Sequence, residues 1–67
     1  MDQKKKLSVV IEHWIEHNEG HIGEYKKWAQ TAGELGLDLV KAEIEEAVGK
    51  LSQSNQHLEK ALKVISS

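Results

Sequence analysis

Sixty-seven residues with no cysteine, no proline, no arginine and a formal net charge of -2 set narrow bounds. One small domain fits, near the lower size at which a single core holds a fold, and neither disulfides nor thiolate metal sites can brace it. Lacking arginine, the chain has no bidentate reader of phosphate or guanine, and its apolar runs are too short for a membrane span, so neither nucleic acid nor membrane is an expected partner.

Lys4, Lys5 and Lys6 form the only basic run and read as a solvated start. No apolar stretch follows them to make a secretory leader, so the expected location is cytoplasmic. From Leu7 the apolar residues recur as Leu7, Val10/Ile11 and Trp14, pass a polar step at Asn18/His21, and continue as Tyr25, Trp28 and Ala32. Steps of three and four describe one face of a helix, predicted over about 4–35 with Asp2 or Ser8 as its cap. The pattern stops at Gly33-Glu34-Leu35-Gly36-Leu37-Asp38. Gly36 reads as the left-handed residue just past the helix, Leu37 as the apolar residue folding back on the last turn, and Asp38 as the next N-cap.

A second helix is predicted over about 38–65, with Val40, Ile44, Ala47/Val48, Leu51, Ser54/Asn55, Leu58, Ala61/Leu62 and Ile65 on its apolar face. Glu43, Glu45 and Glu46 near its start and Lys60 and Lys63 near its end suit the helix dipole. The short turn at 36–37 makes the two helices antiparallel neighbours, pairing position i with about 73 − i. Leu7 then meets Ile65, Trp14 meets Leu58, Tyr25 meets Val48, Trp28 meets Ile44, and Asn18 falls opposite Asn55. The predicted fold is all-α: one domain over 1–67, an antiparallel, coiled-coil-like two-helix hairpin. Ile15 and Ile22 flank this first seam and would stay exposed in a monomer, so a homodimer forming a four-helix bundle is expected. Trp14, Ile15, Ile22, Tyr25 and Trp28 are its candidate core and dimer residues, since large rings supply most of the buried area of such contacts.

His13, His17 and His21 stand at i, i+4 and i+8, and His57 is the only other histidine. Each i, i+4 pair could grip one ion, but the outer two lie about 12 Å apart along the axis, so all three cannot share one. Glu16 or a second subunit would have to complete a site for nickel, zinc or cobalt, the ions that suit imidazole with carboxylate. The preferred reading is plainer: Asn18, His21, Ser54 and Asn55 form a polar layer inside the seam that fixes register and oligomeric state. His13-Trp14-Ile15-Glu16-His17 also matches H-x-x-E-H, the inverted zinc-peptidase signature, yet a two-helix hairpin has no room for the third ligand and cleft of such an enzyme. The Glu-x-x-His of di-iron bundles is missing, since the residues three before each histidine are Val10, Trp14, Asn18 and Ser54. No enzymatic activity is expected.

The run from His13 to His21, H-x-x-E-H-N-x-x-H, followed by Tyr25 and Trp28-Ala29, resembles a family of short His-rich helical hairpins of anaerobic prokaryotes, some joined to small nickel-protein-like domains. The resemblance spans essentially the whole chain and implies that His13, His17, Asn18 and His21 belong to a family motif without an assigned activity. Gly20 and Gly23 depart from the helix formers expected there. Three functions follow from the sequence. The first is a non-catalytic interaction and oligomerisation module. The second is metal binding or sensing through His13, His17 and His21. The third is a pH-responsive assembly, because protonating four histidines would carry the charge from -2 to +2.

Overall fold

The structure, a computed structural model, describes residues 3–66. Two helices, α1 (Gln3–Glu34) and α2 (Asp38–Ser66), lie against one another as a hairpin measuring 52 × 16 × 11 Å, with no strand among the described residues. None of the described helices is long and apolar enough to cross a membrane.

The turn follows from its residues. Gly36 has φ 77°, a conformation that a Cβ would oppose. The Leu37 N–H donates to Ala32 O at 2.9 Å and the Gly36 N–H to Gly33 O at 3.0 Å, the paired bonds of a Schellman ending. The next helix starts at Asp38 as expected, but its cap lies one residue earlier than the sequence suggested. Leu37 O accepts from Lys41 N–H at 3.0 Å, so Leu37 holds the cap position and Asp38 lies inside the first turn, facing the positive end of the dipole. Ser8 caps nothing, because α1 already begins at Gln3 and the Ser8 hydroxyl donates back to Lys4 O at 3.2 Å. Asp2 lies outside the described residues.

The inner seam obeys a repeat of 3.5 residues. Residues of restricted exposure along the facing edges include Ser8, Ile11, Ile15, Asn18, Ile22, Ala29 and Ala32 on α1, where Tyr25, 38% exposed, fills the remaining place in the repeat, and Lys41, Ile44, Val48, Leu51, Asn55, Leu58, Leu62 and Ile65 on α2. Alternating steps of three and four are what two helices need to keep one edge facing the other as they wind together. The antiparallel register is the expected one, but α1 is turned by about one residue from the face predicted for it. Trp14 and Trp28 are 49% and 58% exposed and Tyr25 is exposed too, whereas their neighbours Ile15 and Ala29 point inward, as does Ile22.

Seam width explains the rotation. Two helices joined by so short a turn must approach closely, and Ala29 and Ala32 permit this where an indole at position 28 would wedge them apart. Aliphatic knobs fit the narrow seam and the rings are left beside it. The resulting core is thin, with Ile11, Ala29 and Ala32 as buried apolar residues and, among the described residues, no large side chain fully enclosed.

Candidate functional site

Turning α1 by one residue exposes a second stripe parallel to the first. Leu7, Val10, Trp14, His17, His21, Tyr25, Trp28 and Leu35 are all exposed and follow one another at steps of three, four or seven. At about 100° per residue the seven helical members lie roughly 45–125° to one side of the seam's centre, and Leu35 follows them in the turn. Val40, Ala47, Ser54 and Ala61 occupy the corresponding flank of α2, one heptad apart.

These two flanks share a side of the hairpin. Lys26 and Gln30 of α1 line a surface cleft together with Lys41, Glu45 and Val48 of α2, which joins the opposite pair of flanks on the other side. The cross-section is therefore two-sided. One side carries lysine, glutamine and glutamate, and the other carries large rings from α1 over small residues from α2.

The histidines stand in the middle of the apolar side. His17 and His21, one turn apart, bring their Nε2 atoms to 3.0 Å, so that the N–H of one ring donates to the lone pair of the other. Their ring centroids are 4.5 Å apart at 80°, and the file of rings extends to His13 at 6.2 Å and to Tyr25 at 6.1 Å. Both histidines are exposed. The predicted ligand set is thus gathered only in part, because His17 and His21 converge while Glu16 projects about 100° away around the helix. No group of three or more potential metal ligands assembles among the described residues. His57 is exposed on α2.

The polar layer is smaller than predicted and more completely paired. Asn18 Nδ2 donates to Asn55 Oδ1 at 2.8 Å, and Asn55 Nδ2 donates to Ile15 O at 3.2 Å. Asn55 is 7% exposed, and among the described residues no buried side-chain nitrogen or oxygen lacks a partner. His21 and Ser54 are exposed and lie outside this layer, because the same rotation that brought Ile22 inward turned His21 out.

The family model of a domain of unknown function (DUF8180) matches residues 7–65, which takes in both seams, the turn and every histidine. The chain belongs to this family. No curated protein and no solved structure matches it. Membership places the hairpin in a family of unknown function, as the resemblance implied.

Proposed function

We propose that this DUF8180 hairpin is a non-catalytic self-association module, two copies packing through the aromatic side to make a four-helix bundle. The observation that carries the reading is the exposed Leu7–Leu35 stripe, in which Trp14 and Trp28 are about half exposed along a single flank. Scattered apolar residues on a surface are ordinary, whereas a contiguous file along one side of a hairpin marks a contact.

Area supports a second copy as the occupant. The chain exposes 5316 Å², against about 4,300 Å² for a folded monomer of its mass, an excess of roughly 1,000 Å². A stable interface buries about 800 Å² per partner, so one like-for-like contact would remove most of the excess. The weak charge is compatible with this, since a net -2 per chain opposes pairing only slightly.

Sedimentation of the untagged chain in the presence of EDTA tests the reading. A dimer at micromolar concentration is expected, and Trp28→Glu should weaken it at least 100-fold while leaving helical content unchanged, because Trp28 is not part of the inner seam. A monomer up to about 100 μM would overturn it, since an affinity weaker than that is not a functional assembly.

A further inference from the structure

The aromatic side has an approximate symmetry of its own, centred between His17 and His21. Val10 and Trp28 are equidistant from residue 19, the midpoint of the pair, and Trp14 and Tyr25 nearly so. The level of residue 19 on α1 is set on α2 by the Asn18–Asn55 hydrogen bond and falls at Ser54. Ala47 and Ala61, the small residues of the α2 flank, are equidistant from Ser54. The level fixed by the histidine pair on α1 thus has one small residue a heptad to either side of it on α2.

We infer that the two-fold axis of the dimer crosses the hairpin at this level, and that the His17–His21 pairs of two copies form one four-imidazole site for a divalent late first-row transition ion. The inference rests on the self-association reading and adds a ligand to it. An axis running across the hairpin sets α1 antiparallel to the partner's α1 and α2 antiparallel to the partner's α2. Val10 then faces the partner's Trp28, and Trp14 faces the partner's Tyr25, a small or flat group against a large ring at each step. Ala47 faces the partner's Ala61, which lets the α2 helices approach closely. His17 faces the partner's His21 at the centre.

The spacing of the pair also fits a shared ion. For metal–nitrogen bonds of about 2.1 Å, two nitrogens on one ion stand about 3.0 Å apart at a right angle and about 3.4 Å apart in a tetrahedron. The His17 and His21 Nε2 atoms are already 3.0 Å apart. One helix can supply no more than this half-site, in keeping with the lack of any three-ligand group among the described residues. The second half comes from the symmetry. Four neutral imidazoles without thiolate suit zinc, nickel, cobalt or copper(II), and not the oxygen-seeking calcium or magnesium.

Calorimetry and native mass spectrometry of the untagged chain with zinc chloride or nickel chloride test this, alongside sedimentation in EDTA. The expected result is one ion per two chains, with affinity falling at least 100-fold in His17→Ala and in His21→Ala and changing less than about threefold in His13→Ala. Trp28→Glu should lose the ion as well, because it separates the half-sites without touching them. One ion per chain, or binding that survives His17→Ala, would overturn the site. A chain that is dimeric in EDTA yet binds neither ion more tightly than about 100 μM overturns the site and leaves the dimer standing. A chain that is monomeric in EDTA and with zinc overturns both.

Discussion

Two polar interruptions sit at one level of this hairpin, and they differ in whether the chain completes them. Asn18 and Asn55 lie inside the seam, where each amide meets a partner from the opposite helix: a side chain at 2.8 Å in one direction and a backbone carbonyl at 3.2 Å in the other. His17 and His21 lie on the outer stripe and hydrogen-bond to each other, at 3.0 Å, with no side chain of the opposite helix between them and solvent. The first is a closed unit that spends its bonding capacity on holding register. The second is open, exposed to solvent on an apolar stripe. A buried polar group must be satisfied inside its own chain, whereas a group on an exposed stripe can be left for something else to satisfy.

The contrast between inner seam and outer stripe is broken most forcefully at two adjacent residues. Ile11 is 5% exposed and Val10 is 37% exposed, although both are apolar and only about 100° apart around the helix. Ile11→Ala should lower the stability of the single hairpin by about 2–4 kcal/mol, which is most of what so small a core supplies. Val10→Ala should lower it by less than about 1 kcal/mol and act mainly on association. Urea denaturation at low concentration, where the dimer is dissociated, separates the two. Equal losses would mean that the seam has been assigned to the wrong face.

The same pair of residues shows what the sequence made legible. The turn was readable because Gly36 and Leu37 are the residues a Schellman ending requires, and the register was readable because Asn18 and Asn55 interrupt two apolar patterns at matching distances from that turn. Which face of α1 looks inward was not readable. Apolar side chains occupy Val10 and Ile11, and Trp14 and Ile15, so two stripes one residue apart satisfied the same periodicity. The larger rings have the greater burial value, but a two-helix seam beside a tight turn is too narrow to take them. Within the candidate site, the convergence of His17 and His21 was legible from i, i+4 spacing. The exclusion of His21 from the polar layer was not, because it depended on that same rotation.

The closed unit is tested by opening it. Asn55→Ala removes both bonds and leaves the half-buried Asn18 amide short of its acceptor, so a loss of about 1–3 kcal/mol is expected in thermal or urea denaturation. Asn18→Leu combined with Asn55→Leu should behave differently. Replacing both partners by apolar groups of similar size should hold or raise the melting temperature while mixing registers and oligomeric states, as seen by sedimentation. A double variant that melts higher and remains a single species would show that the amides do not specify the register.

The smallest expected effect concerns the helix that carries the open pair. Gly20 and Gly23 flank His21 on α1, and a Cβ built on either would meet nothing within 4 Å. Neither glycine is required by a bend, since α1 runs unbroken from Gln3 to Glu34. Gly20→Ala and Gly23→Ala should therefore each stabilise the hairpin by up to about 1 kcal/mol, through lower entropy of the unfolded chain and better helix propensity. Gly36→Ala provides the opposite control, because its φ of 77° strains any residue with a Cβ and predicts a loss of about 1 kcal/mol. Stabilisation at Gly20 with unchanged zinc affinity would show that the pair needs only a regular helix. Stabilisation accompanied by weaker zinc binding would instead assign these glycines to the site, as the give that lets four imidazoles close around one ion.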